Sequence, residues 1–266
     1  MCIHAHPDDE ASKGAPTIAK YVAEGHEASL VCATGGEEGD ILNPAMDRDD
    51  VRSRLHEVRM SELANSVKEI GYHECVMLGY RDSGMPDTDG NVNADCFAQA
   101  DFDEAVGRFV AEIRRFRPHV IVTYADDQQG YQHPDHLMVH DISIPAFDRA
   151  GDPKWYPEAG EPWKPLKLYY SMWTRARMVA WHEKYAELGL ESPYDEKWFE
   201  RPNMDSRIST KVEIEDFYGV RSRALLAHAT QIDPNEKFWF GLPDTEAASA
   251  YPFEDFVLAL SRVPSG

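Results

Sequence analysis

Two short clusters concentrate the chemistry of this chain. The first is His4-Ala5-His6-Pro7-Asp8-Asp9-Glu10, which sets two imidazoles and three carboxylates directly behind a stub of apolar sequence. A histidine and a carboxylate a few positions apart at the end of a strand can converge on one divalent cation, and imidazole nitrogen with carboxylate oxygen suits zinc. One acid beyond what a metal needs is a candidate general base. The same residues also suit an acidic turn and helix start, because Asp and Glu are favoured near a helix N-terminus. A third ligand elsewhere would separate the two readings. The second cluster, Gly130-Tyr131-Gln132-His133-Pro134-Asp135-His136, again groups histidine, proline and carboxylate. Either histidine alone reads as a polar loop residue. Two such clusters at strand ends of one sheet read instead as two histidines, one carboxylate and a water, a familiar hydrolytic zinc arrangement.

The elements that must position these clusters alternate. Ala15, Ile18, Ala19 and Val22 recur at helical spacing until Gly25, and residues 28–33 form a strand-like apolar run ending in Thr34-Gly35-Gly36-Glu37-Glu38-Gly39-Asp40. Residues 51–70 read as a helix, 74–78 as a strand, 102–116 as a helix and 119–123 as the clearest buried strand, with a further helix from His136. Strand and helix alternating in this way indicate a Rossmann-like α/β fold, a mostly parallel sheet with helices on both faces. Every unusual polar motif follows the carboxyl end of a strand, where open α/β sheets bind ligands, so clusters far apart in sequence are expected to meet in space. Beyond residue 150 the sequence turns rich in Pro, Gly and Trp, and then reads as a strand over 166–172, a helix over 174–188, a strand over 206–213 and a helix over 217–228. Residues 231–251 read as irregular, with aromatic residues at Phe238, Trp239 and Phe240. We expect a metal-binding catalytic domain over residues 1–165 and a smaller C-terminal α/β subdomain over 166–266 that completes a substrate crevice.

Composition bounds the partners. In 266 residues, 42% hydrophobic content supports a substantial core, and a formal net charge of −20 opposes nucleic acid and anionic membrane, which both require basic footprints. Cys2, Cys32, Cys75 and Cys96 are scattered without a Cys-x-x-Cys pair, which suits a reducing compartment, and no apolar run is long enough to span a membrane. A cytoplasmic protein is expected. The chain starts within its first strand, which leaves room for residues upstream.

The motifs together resemble the LmbE/PIG-L superfamily of zinc-dependent N-deacetylases. His6-Pro7-Asp8-Asp9-Glu10 and His133-Pro134-Asp135-His136 look like its paired signatures. The likeness extends through Thr34-Gly35-Gly36-Glu37-Glu38-Gly39, Arg59 with Glu62, Arg81-Asp82-Ser83-Gly84-Met85, Arg117-Pro118-His119-Val120, Gly130-Tyr131 and His228-Ala229-Thr230-Gln231. Within the superfamily, Ile41-Leu42-Asn43-Pro44, Ala159-Gly160-Glu161-Pro162-Trp163, Ile232-Asp233-Pro234-Asn235 and Lys13 look like the mycothiol S-conjugate amidases. Arg81 to Met85 looks more like the N-acetylglucosaminyl-inositol deacetylases of mycothiol biosynthesis.

The resemblance implies that His6, Asp9 and His136 hold one zinc ion per chain, with ferrous iron as the alternative divalent metal. It implies Asp8 as general base, taking a proton from water that zinc acidifies to a pKa of roughly 7. His133 and Tyr131 would stabilise the tetrahedral oxyanion. Arg59 and Asp82 would bind sugar and inositol hydroxyls, and Lys13, one turn inside the following helix, would reach the substrate. Outside the family, Tyr131 reads as a loop aromatic, Arg59 with Asp82 as a surface ion pair and Lys13 as a solvated lysine. Asp135 is expected to orient a histidine ring, His4 to pack and Glu10 to serve the helix start. The glycine-rich loop lacks the Lys-Ser/Thr of a phosphate-binding loop and carries two acids, so it reads as a wall of the sugar pocket.

The implied activity is amide hydrolysis of a small-molecule glucosaminyl-inositol thiol conjugate, giving a mercapturate and glucosaminyl-inositol in detoxification. Deacetylation of N-acetylglucosaminyl-inositol or a related N-acetylglucosaminide is the alternative, and homo-oligomerisation is left open. A metal-binding scaffold without turnover would not need Asp8 and His133. An NAD-binding dehydrogenase would need glycines where the first loop carries acids.

Overall fold

A computed structural model of the chain describes residues 1–126, 128 and 131–264. The apolar stub forms β1 (Cys2–His4), and two short helices, α1 (Asp9–Ser12) and α2 (Ala15–Ala23), lead to β2 (Ser29–Thr34). Next come α3 (Asp49–Arg52), α4 (Leu55–Ile70), β3 (Glu74–Tyr80), α5 (Phe102–Phe116) and β4 (Val120–Tyr124). They are followed by α6 (Pro134–Arg149), β5 (Lys167–Met172), α7 (Arg175–Glu187), α8 (Glu196–Glu200) and β6 (Thr210–Glu213). The chain closes with α9 (Tyr218–Ala227), α10 (Lys237–Phe240), α11 (Asp244–Ala250) and β7 (Phe253–Ser261).

The strands share one seven-stranded sheet in the order β3-β2-β1-β4-β5-β7-β6. β1 to β5 pair in parallel, while β7 runs antiparallel to both β5 and β6. The chain moves outward from β1 through β2 to β3 and then returns to lay β4 on the other side of β1. The loops leaving β1 and β4 therefore diverge, and the gap between them is the crevice in which this kind of sheet places its ligands.

Strand alternation divides the core between two faces. Ile3, Val31 and Ala33 meet Phe109 and Ile113 of α5 and Val139 and Phe147 of α6, whereas Cys2, Leu30 and Cys32 meet apolar side chains of α2, α4 and α9. The expected α/β fold with helices on both faces is thus the observed one. The sheet continues across the boundary expected at 165/166, since β4 pairs with β5 from Val120 opposite Lys167 to Tyr124 opposite Ser171. Residues beyond it supply β5, β6 and β7 and a third apolar cluster around Trp181, Tyr218 and Phe256.

Besides β6, which begins at Thr210 and not at 206, and α8, which was not expected, three stretches differ from the expected elements. The helix expected over 51–70 is two pieces, α3 and α4, separated at Ser53 and Arg54, where Arg54 leaves helical backbone at φ −130°. The stretch expected to be irregular over 231–251 contains α10 and α11, both too short to display a period. No strand was expected at 253–261, yet β7 is the longest in the sheet and bridges β5 to β6. Its alternation is masked by Glu254 and Asp255, which are 3% and 1% exposed.

Both acids are buried with partners from distant helices. Glu254 accepts from the Thr17 amide at 3.0 Å and hydroxyl at 2.6 Å in α2, and pairs with Arg221 of α9 at 2.5 Å. Asp255 accepts from Thr174 at 2.8 Å and Tyr251 at 2.9 Å, with Arg177 at 3.5 Å. Burial alone would raise the Glu254 carboxyl, but Arg221 and Arg177 hold it below its ordinary value. Such a group contributes stability above its unfolded pKa of 4.5 that is lost as pH falls through the lower folded value. Glu254→Gln leaves Arg221 buried without its counter-charge and should cost about 3–5 kcal/mol at neutral pH in urea unfolding. The gap to the parent should stay level above pH 4.5 and narrow in more acidic buffer.

Candidate metal and catalytic centre

The loop leaving β1 and the end of β4 are joined through one phenol. The Tyr124 hydroxyl, at the last position of β4, accepts from the Ala5 amide at 2.7 Å and donates to Asp9 Oδ2 at 2.6 Å. The same carboxylate oxygen accepts from the His6 amide at 3.0 Å and lies 3.4 Å from His6 Nδ1 and 3.3 Å from His136 Nε2. The Lys13 ammonium rests on the other oxygen at 2.5 Å. His136 is placed by the first turn of α6, and its ring stacks on Tyr124 with centroids 4.3 Å apart and planes at 15°. Burial would raise the Asp9 carboxyl, but Lys13 and the two histidines hold it well below its usual range. Burial lowers His136 to about 4, so its imidazole is neutral and its lone pair available. One donor atom each from His6, Asp9 and His136 lie within 4.8 Å of one another, all buried. Two imidazoles and a carboxylate at that spacing fit a tetrahedral divalent ion with a position left for water.

The far nitrogen of His6 faces two more acids. Nε2 lies 3.1 Å from Asp135 Oδ2 and 3.4 Å from Asp82 Oδ1. Burial would lower the His6 ring, but Asp135, Asp82 and Asp9 together raise it well above its ordinary value. Asp135 has no exposed surface and also accepts from the Ser83 amide at 3.0 Å and from the Ser83 hydroxyl. His6, Asp82, His133 and Asp135 form a second group of donors within 4.8 Å. The contacts nonetheless distinguish the two groups. Nδ1 of His6 looks toward Asp9 and His136, while Nε2 is held by a carboxylate that is itself fixed by Ser83, the arrangement that orients a metal-binding imidazole.

His133 caps α6, its Nδ1 accepting from the Asp135 amide at 3.2 Å. In a neutral ring the proton must then sit on Nε2, which faces the site as a donor. Burial and the neighbouring His6 both lower the His133 pKa and favour that neutral form.

Asp8 occupies a backbone conformation uncommon for a side-chain-bearing residue, φ 118° and ψ −26°. Its amide donates to Glu10 Oε2 at 2.9 Å, and its carboxylate lies 3.7 Å from Arg59 Nη2 with 31% of the side chain exposed. Burial and the adjacent Asp9 push it up to about 6 against the pull of Arg59, a value suited to passing a proton near neutrality. Glu10 has no exposed surface, and its Oε1 accepts from Ser66 at 2.5 Å and faces His228 Nε2 at 2.6 Å.

Arg59 is 2% exposed, with Nη2 on the Pro7 carbonyl at 2.9 Å and Nη1 on the Gly36 carbonyl. Gly36, at φ +69°, lies so close to the guanidinium that any side chain there would collide with it, so the glycine-rich loop is built around Arg59. Asp82 is 3% exposed and points at His6. Lys13 touches Asp9 and the edge of a neighbouring chamber. Tyr131 stands at the mouth of that chamber, 57% exposed, its ring 5.4 Å from His136. Gly130 lies outside the described residues. His4 is buried, with both ring nitrogens lacking a hydrogen-bond partner among the described residues and its ring edge-on to Tyr124 at 5.6 Å. Burial lowers it to about 4. Sequence reasoning missed Tyr124, Ser66 and the placement of His228 against Glu10. For Tyr124 the only signal was its place at the end of the clearest buried strand.

The chamber holds about 290 Å³ and runs from Lys13, Tyr131 and His136 to an aromatic wall that includes Trp173, Trp198 and Phe238. No helix among the described residues is long and apolar enough to cross a membrane.

Residues 1–147 match the family described as PIG-L, GlcNAc-PI de-N-acetylase. Over 272 residues the chain is 44% identical to a mycothiol S-conjugate amidase of Streptomyces coelicolor, spanning 99% of this chain and 92% of that protein. It is 38% identical over 275 residues to a 1D-myo-inositol 2-acetamido-2-deoxy-alpha-D-glucopyranoside deacetylase of Streptomyces avermitilis, spanning 97% and 90%. Among solved structures the fold is similar to N,N'-diacetylchitobiose deacetylase from Pyrococcus horikoshii, with a TM-score of 0.67 and 17% identity over 97% of this chain and 82% of that one. The chain belongs to the PIG-L, GlcNAc-PI de-N-acetylase family and is an amide-bond hydrolase.

Proposed function

We propose that this hydrolase cleaves the amide between the cysteinyl acyl group and glucosaminyl-inositol in mycothiol S-conjugates, releasing a mercapturate and glucosaminyl-inositol in the cytoplasm. One zinc ion per chain, on His6, Asp9 and His136, is part of the proposal. The observation that carries it is the chamber of about 290 Å³ beside His136, far more than an acetyl group fills. The likeness to an amidase at 44% supports the same substrate class.

A divalent ion on these donors supplies Lewis-acid polarisation of the amide carbonyl and acidifies the attacking water. Asp8 takes the proton from that water as its oxygen bonds to the carbonyl carbon. It then passes the proton to the amine nitrogen as the carbon–nitrogen bond breaks. His133 offers Nε2–H to the oxygen that gains charge, and the Tyr131 hydroxyl at the mouth adds a second donor. Tyr124 fixes Asp9 and His136. Arg59 braces the glycine-rich loop that walls the sugar side, Asp82 turns to His6, and Lys13 stands where the acyl arm enters.

Deacetylation of N-acetylglucosaminyl-inositol is the second reading, favoured by the 38% identical deacetylase. Purified enzyme loaded with zinc and offered a fluorescent thiol adduct of mycothiol should release free amine with a larger kcat/KM than on N-acetylglucosaminyl-inositol. The reverse ranking would transfer the assignment to the deacetylase. Asp8→Ala should lower kcat by about 10²–10⁴ while metal analysis shows the ion retained. Preserved turnover would remove Asp8 from its role. His133→Ala should lower kcat by about 10²–10³ with little change in KM, the signature of a contact made in the transition state.

A further inference from the structure

The far wall of the chamber has a chemistry that hydrolysis does not need. Trp173, directly after β5, stacks on Phe238 of α10 with centroids 5.6 Å apart and planes at 17°. Phe238 stacks in turn on Trp198 of α8 at 5.4 Å and 26°. The Arg201 guanidinium lies 3.9 Å from the centre of the Trp198 ring, so a row of three aromatic faces ends in a cation. Arg175 joins it by donating to the Arg201 carbonyl.

The acid that shares this lining does not neutralise it. Asp205 also lines the chamber, but its two oxygens accept from the Arg175 and Ala176 amides at 2.8 Å and 2.9 Å at the start of α7. Among the described residues, neither guanidinium has a carboxylate within the 4.0 Å that defines an ion pair. Acids outnumber Lys and Arg by 47 to 27 in this chain, so two arginines without such a partner at one pocket wall stand out against its charge balance. The stack and Arg201 cover the faces of Phe238 and Trp198, so the chamber meets ring edges, which bind the face of an aryl ring, while guanidinium groups bind an oxyanion through charge-assisted hydrogen bonds.

We propose that this wall is an acyl-side subsite for an aryl group bearing a carboxylate or similar oxyanion, the ring against Trp198 and Trp173 and the anion on Arg201 and Arg175. It rests on the reading that a bulky acyl arm enters the chamber past His136. Anionic aryl thioethers would then be the preferred conjugates.

The zinc-loaded full chain is titrated calorimetrically with two acyl-side products, N-acetyl-S-benzylcysteine and N-acetyl-S-(4-carboxybenzyl)cysteine. The carboxybenzyl compound should bind about tenfold more tightly. Arg201→Gln should erase that difference, and Trp198→Ala should weaken both compounds by about tenfold. Acetate, too small to reach the row, should bind either variant as it binds the parent. Equal affinities for the two probes in the parent, or parental affinities in Trp198→Ala, would overturn the subsite. Arg201 is exposed, so Arg201→Gln decides the matter if Trp198→Ala does not fold. Probe binding with this dependence but no cleavage of mycothiol conjugates would remove the proposed function and leave the subsite. Cleavage of the conjugates with probe binding indifferent to both substitutions would do the opposite.

Discussion

A carboxylate at 4% exposure persists as an anion only if the fold surrounds it with donors, and Asp9 is placed where two strand ends can do so. Its amide partner and one imidazole come from the loop after β1. The phenol and the other imidazole come from β4 and the helix that follows it. Tyr124 is the joint, since from the end of β4 its hydroxyl accepts from the Ala5 amide and donates to Asp9, both in the segment that leaves β1. The gap between β1 and β4 is therefore bridged by the contacts that set the donor atoms' spacing. A shift of either strand would misplace the hydroxyl, the carboxylate and the stacked His136 together.

Beneath this layer, two further buried acids fix what the first cannot. Asp135 turns the His6 ring so that Nδ1 looks toward Asp9, and Ser83 from the loop after β3 fixes Asp135. Glu10 takes the Asp8 amide and is held by Ser66 of α4 and His228 after α9. The positive φ of Asp8 costs of order 1–3 kcal/mol, and it persists because Glu10 below and Arg59 beside it restrict the alternatives. Asp8 and Asp9 are adjacent in sequence, yet one stays half-exposed and basic while the other is clasped and acidic. The abrupt backbone turn between them sends the two carboxylates into different surroundings.

How much of this could be read beforehand followed from whether the cause was local. The parallel core was legible because buried strands and amphipathic helices announce themselves by period, and the two histidine clusters were legible by composition. The rule that α/β sheets bind ligands at strand ends brought them together without a structure. Tyr124 was not legible, because a tyrosine ending a buried strand looks like core until its partner across the gap is known. Nor was β7. Glu254 and Asp255 interrupt its pattern, and the groups that make those acids acceptable inside, Arg177, Arg221, Thr17 and Thr174 among them, lie far away in sequence. Arg59 was read as a sugar contact, but the collision that forces Gly36 to lack a side chain is visible only when their segments meet.

The division of labour along the chain bears on how one reaction serves different amides. Every residue proposed to act on the amide, from His6 to His136, lies within residues 1–147, the part that matches the family as a whole. The aromatic wall at Trp173, Trp198 and Phe238 lies beyond it, carried by short helices and loops attached to the antiparallel end of the sheet. Those segments contribute nothing to the spacing of His6, Asp9 and His136, so their side chains can change without moving the donor set. The parallel half constrains the chemistry through buried charges that tolerate few substitutions. The aromatic wall is built from apolar contacts and surface arginines, where a substitution alters the chamber's lining and leaves the donor set in place. Relatives bearing amidase and deacetylase names at 44% and 38% identity are what such an arrangement would produce.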